Sequence, residues 1–207
     1  EILVAANKRP PCNEVARFIM EDLYKAISLM QDGFDKNHTR ISPDAARLFK
    51  SRVALYEGSW LTYFAGTAFV PNGEGWPGKA KEYNANYQYP TGSVDAEAKY
   101  FLQESAKAAE MVADKYKDQL MVNTGTIPQK EGDPQNPYFN IWGTTDMSGT
   151  PEVILWRQYS KELGVVNNVE VGVQHGDFGV GLTRSMVEGY VMKDGKPIYN
   201  SAYTYSD

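Results

Sequence analysis

The sequence predicts a mainly α-helical, repeat-like scaffold carrying long aromatic loops and a small β-hairpin element, and three observations predict it. Residues 40–76 hold a capped, two-faced helix that runs into a loop rich in Gly, Asn, Trp and Tyr. Helix starts near Glu14 and Pro43 are separated by one helix and a turn, the grain of a tetratricopeptide-like array with its repeat of about 34 residues. Aromatic residues make up 13% of the 207-residue chain, and many fall between the helical segments.

The first helix is expected over about 14–31. It follows Pro10 and Pro11, takes Asn13 as its cap, and carries Val15, Ile19, Leu23, Ile27 and Met30 as a buried stripe, with Asp32-Gly33 closing it. The second, about 43–66, starts where Ser42 can accept a bond from a free backbone N–H and where the missing donor of Pro43 costs nothing. Its apolar face is read as Ala45, Phe49, Val53, Tyr56 and Trp60; Gly66 offers a left-handed exit and Pro71 forbids continuation. The third, about 94–116, keeps Ala98, Phe101, Ser105, Ala108, Val112 and Tyr116 at helical spacing, and its small residues permit close packing.

Between the second and third helices, residues 67–93 form a connection far longer than helix pairs usually need, and 120–151 reads as a second long structured loop. Glu152 to Trp156 is strand-like. Val165 to Val173 reads as extended, with a turn at Asn167-Asn168. Thr183 can cap a short helix through Ser185, Met186, Val187 and Tyr190, and Asp194-Gly195 between apolar runs predicts a hairpin over about 188–199. No linker is apparent, so 1–207 is read as a single segment.

Composition narrows the function classes. With 42% apolar and 23% charged residues the chain is ordinary for a globular protein, and a net charge of −5 without a basic stripe argues against nucleic acid. Cys12 stands alone, which rules out an internal disulfide and a cysteine-based zinc site. No window approaches the roughly 18 consecutive apolar residues of a membrane span, so any membrane address is expected outside this segment.

Catalytic motifs are weak. Asp177-Phe178-Gly179 copies the kinase metal-binding tripeptide without a phosphate loop or catalytic loop, and Gly176, Gly179 and Gly181 miss the dinucleotide spacing. His38 and His175 lie in unrelated contexts, so neither a metal site nor a catalytic residue is expected, and no cofactor is implied. Glycoside hydrolysis needs only two facing carboxyl groups, for which Glu152, Glu170 and Asp177 are candidates. Arg17, Arg47 and Arg52 read as a partner-facing or ion-paired strip, against the ordinary solvated face, with Arg52 near the buried face, placed to snorkel or pair with an acid.

Sugar binding asks for something else. A pyranose offers apolar C–H faces to an aromatic ring and a rim of hydroxyls to amides, so aromatic residues must sit beside Asn or Gln. Trp76 with Tyr83-Asn84-Ala85-Asn86-Tyr87 has this mixture, and so does Asn136-Pro137-Tyr138-Phe139-Asn140-Ile141-Trp142. The candidate ligand-binding residues are therefore Trp76, Tyr83, Asn84, Asn86, Tyr87, Tyr138 and Trp142. The competing reading is a loop pinned to the scaffold by its own rings, with amides serving turn backbones.

Six pieces in order, EVARFIMEDLYKAISLM, RISPDAARLFKSRVALYEGSW, YNANYQYPTGS, NPYFNIW, PEVILWRQYSKELGV and QHGDFGVGLTRSMVEGYVMKDGKPIY, cover nearly the whole chain. Together they resemble the SusD/RagB family of bacterial outer-membrane nutrient-binding lipoproteins. The resemblance implies an internal segment of a longer, lipid-anchored surface protein that holds a glycan, or in some relatives a peptide. It also implies delivery of that ligand to a SusC-like TonB-dependent transporter, with helical repeats meeting the transporter and loops shaping the pocket. The alternatives are a helical-repeat scaffold that binds protein and never sugar, and a glycoside hydrolase.

Overall fold

The computed structural model describes residues 8–33, 35–175 and 181–203, and it is mainly helical. Two compact units divide the chain, Glu1–Gln158 and Tyr159–Asp207, a division the sequence reading does not draw. Asp177-Phe178-Gly179 and Gly176 lie outside the described residues.

The first unit is built on three helices: α1 (Cys12–Leu29), α2 (Pro43–Tyr63) and α3 (Val94–Tyr116). Ser42 caps α2 by accepting from the Ala45 N–H at 3.2 Å, and Ser93 caps α3 by accepting from Ala96 at 3.1 Å. Helix α1 differs from expectation. It opens at Cys12 without a side-chain cap, and Asn13 is fully buried inside it. The Asn13 amide donates to Glu97 at 2.9 Å and accepts from the Tyr87 hydroxyl at 2.8 Å, so tertiary partners claim the side chain that would have capped the helix.

Helix α2 lies between the other two. Against α3 it presents small residues: Ser51, Ala54 and Gly58 are buried, and the Ser51 and Ser105 hydroxyls each donate to the other's backbone carbonyl, at 3.0 and 2.9 Å. A Cβ at Gly58 would fall 2.8 Å from Leu102 Cγ and 3.1 Å from the Ala98 carbonyl, so glycine sets the closeness of the pair. The α3 stripe read from the sequence is buried as expected. The stripes of α1 and α2 are not. Ala16 and Met20 are the buried apolar residues of α1, while Val15 is exposed; on α2, Phe49 and Tyr56 are exposed, and Arg52 with them.

Residues 64–92 wrap one end of the bundle as a succession of tight turns, each N–H reaching back three residues, as in Val70 to Thr67, Gly73 to Val70 and Trp76 to Gly73. Val70, Tyr87 and Tyr89 from this wrap join Leu61, Ala98 and Phe101 in the core. Glu152 to Trp156 is not a strand. It is tied instead to the loop before α2: the Trp156 N–H donates to the His38 carbonyl, the Trp156 indole to the Asn37 carbonyl, and the His38 ring meets the Val153 carbonyl at 2.7 Å.

The second unit carries two short helices, Val169–His175 and Arg184–Glu188. The first replaces the later part of the extended segment expected over 165–173, and just before it the Asn167 side chain accepts from the Val169 N–H in a local turn. Thr183 caps the second through Met186 at 3.2 Å. The expected hairpin is reduced to a tight turn at Gly195 (φ 73°) with one antiparallel bridge between Val191 and Pro197. Pairing stops at Pro197, which has no N–H to continue a ladder.

Candidate functional site

The two aromatic loops use their rings in different ways. In the first, Tyr87 is only 9% exposed and its hydroxyl is spent on Asn13, while its ring meets Tyr89 edge-on at 5.3 Å. Tyr89 donates to the Pro71 carbonyl. Asn84 is buried as well. Trp76 is half-buried, 6.0 Å from Tyr87, and curls over Gly78 so closely that a Cβ there would meet the indole at 2.2 Å. Tyr87 and Asn84, expected to face ligand, are corrected to interior positions: their polar ends tie the wrap to the start of α1, Tyr87 through Asn13 and Asn84 through the Arg9 carbonyl, and burying the Tyr87 ring supplies apolar core that small α2 and α3 residues cannot. Tyr83 and Asn86 remain exposed on the same stretch, with the Tyr83 hydroxyl accepting from the Arg9 N–H.

The second loop does the opposite. Its centre is Asn136, 4% exposed, which ties two strands of loop together: the amide donates to Asn123 and to the Thr126 carbonyl, both at 2.9 Å, and its oxygen accepts from Thr124. From this anchor a single helical turn, α4 (Pro137–Asn140), begins with Pro137 at its first position. The chain turns on past α4, the Trp142 N–H reaching back to the Phe139 carbonyl, and Tyr138 and Trp142 stand together, rings 6.4 Å apart and edge-to-face. Both are in water. Trp142 is 76% exposed and Tyr138 41%. Asn140 and Gln135 are exposed on the same loop, the Asn140 amide donating to the Gln135 side-chain oxygen at 3.1 Å.

Among the candidate carboxyl groups, Glu152 is taken by the Met121 N–H, and Asp177 and the Glu170 side chain lie outside what the structure describes. Among the described residues no group of three or more His, Cys, Asp and Glu side chains could hold a metal ion, and no helix is long and apolar enough to cross a membrane.

One constellation escaped the sequence reading. Glu57 and Cys12 are in contact at the α1/α2 junction, where burial and the neighbouring carboxylate push the Cys12 thiol up to about 12, an unreactive setting. Burial pushes the Glu57 carboxyl up as well, against the thiol hydrogen bond that draws it down. The signal was present in the sequence as Ser51, Ala54 and Gly58, a small-residue ridge marking the packed side of α2 and leaving Phe49 and Tyr56 for the other. Comparison with family models, curated proteins and solved structures finds no match to this chain.

Proposed function

We propose that this chain is part of a non-catalytic glycan-binding protein of the SusD/RagB type, held at the bacterial outer-membrane surface and passing its ligand to a SusC-like TonB-dependent transporter. In this reading α1 to α3 are a tetratricopeptide-like scaffold and the loop around α4 is the sugar platform. The observation that carries the proposal is Trp142, a large ring left in water beside Tyr138 on a loop that Asn136 holds in place. A ring carried on an anchored loop asks for less ordering when a sugar face settles on it, and the same loop carries the exposed Asn140 and Gln135 amides as hydroxyl partners.

The first loop contributes support and not contact, because its tyrosine hydroxyls are already engaged. Hydrolysis is not part of the proposal: it requires two carboxyl groups facing one bond, and the described Glu152 carboxyl accepts from the Met121 N–H. A glycan array followed by titration tests the proposal. Trp142→Ala should weaken the best glycan about tenfold or more, the scale of one lost stacking contact. Trp76→Ala should lower stability and leave affinity unchanged. Equal affinity in the wild type and a Trp142→Ala/Tyr138→Ala double variant would end the assignment.

A further inference from the structure

The face of α2 left over from packing forms one wall of an open groove of about 800 Å³ between α1 and α2. Phe49, Val53, Tyr56 and Trp60 line it from α2, and Val15 and Ile19 from α1. Tyr56 is 65% exposed. The α2 wall continues to Phe64, and at ~1.5 Å rise per residue this is a run of about 22 Å, or four helical turns. Apolar side chains recurring every three or four residues along two neighbouring helices make the ridges and furrow into which a third helix packs.

Glu57 also lines the groove, 5% exposed, and its Oε1 has no hydrogen-bond partner. A buried carboxylate oxygen without a donor is an unmet demand, and an occupant that brings a donor relieves it. Tyr56 and Trp60 add aromatic faces that attract a cation. The chain's net charge of −5 opposes a second copy of itself and favours a basic occupant. Arg52 stands exposed on the rim five residues before Glu57, about 7.5 Å along the helix, so an acid on the occupant belongs about one and a half turns away from its base.

We propose that this groove seats an amphipathic helix of a partner protein, its apolar stripe on Phe49, Tyr56 and Trp60 and a Lys or Arg within that stripe donating to Glu57. The site is distinct from the Trp142 platform and stands whether or not that platform binds sugar.

The test uses the 207-residue chain and three synthetic 18-residue amphipathic helices with a leucine stripe, identical except for Lys, norleucine or Glu at its centre. Calorimetric titration should show the Lys peptide binding about tenfold more tightly than the norleucine peptide, with the Glu peptide weaker still. Glu57→Met should erase the preference for Lys. Tyr56→Ala, at an exposed ring, should weaken every peptide while the circular dichroism stays unchanged, so the groove is tested even if Glu57→Met fails to fold. No saturable binding by any peptide, or equal affinity for all three, overturns the proposal. So does sedimentation of the free chain as a dimer that Tyr56→Ala dissociates, which would assign the groove to a second copy.

Discussion

Glu97 is completely buried and ionised, because Arg17 grips it through two nitrogens at 2.7 and 2.9 Å while Asn13 and Thr91 donate to the same carboxylate. Burial pushes this carboxyl up, and the bonds from Arg17, Thr91 and Asn13 outweigh it, so the group stays below its ordinary range. Asp44 is held down in the same way, burial being outweighed by Lys115, Tyr116 and Arg47. A carboxyl depressed in the folded state stabilises the fold above its ordinary value and loses that contribution as pH falls through the folded one. The first unit should therefore lose stability in urea titrations as pH drops below about 4. Glu57 has the opposite sign: its contribution is whole at low pH and lost as pH rises, so Glu57→Met should raise the urea midpoint at pH 7 and change it least in acid. Arg17→Met strands Glu97 and should cost about 3 kcal/mol at pH 7, measured by the same titration. The sequence offers Arg17 and Arg47 as candidates for ion pairing, and only the Arg47–Asp44 pair, three residues apart, lies within reach of local spacing. Asn13 and Glu97 are 84 positions apart, and the Asn13 reading as a cap rested on local spacing alone.

At the scale of elements, what was legible was local. Ser42 and Pro43 begin α2 by contacts within four residues, and the same holds for Thr183 at its short helix. Which face of a helix packs is decided by its neighbours. On α3 the apolar stripe and the packed face coincide; on α2 they do not, because Gly58, Ala54 and Ser51 let α3 approach closely and leave the large rings outside. Gly58→Val should force the helices apart and cost about 2–3 kcal/mol, in spite of giving α2 a residue with less backbone freedom to lose. Trp76→Ala should cost about 2–3 kcal/mol, since its ring is shared between Tyr87 and the turn at Gly78. Thermal unfolding of each variant checks both numbers. The extended reading of 165–173 gives way to a helix from Val169 on, although its β-branched valines favour strand: local propensity is a weak prior there.

For the whole molecule, the mainly helical class followed from three periodic segments and held. The candidate site was legible only in part, since aromatic-rich loops look alike in sequence whether their rings are filler or display. Tyr87 became filler because Asn13 stood ready to accept its hydroxyl; Trp142 became display because Asn136 satisfies the loop backbone without help from the rings. Trp142 is the residue proposed to meet the ligand, and the chain carries its own reporters for this in four tryptophans. The Trp60 and Trp156 indoles donate to the Phe69 and Asn37 carbonyls, whereas Trp142 stands in water. A nitrogen–proton correlation spectrum recorded during glycan titration should move the Trp142 indole signal saturably and leave those of Trp60 and Trp156 in place, with no reducing ends released. A Trp142 signal that stays still throughout a glycan panel, or moves only with sugar release, would contradict the account.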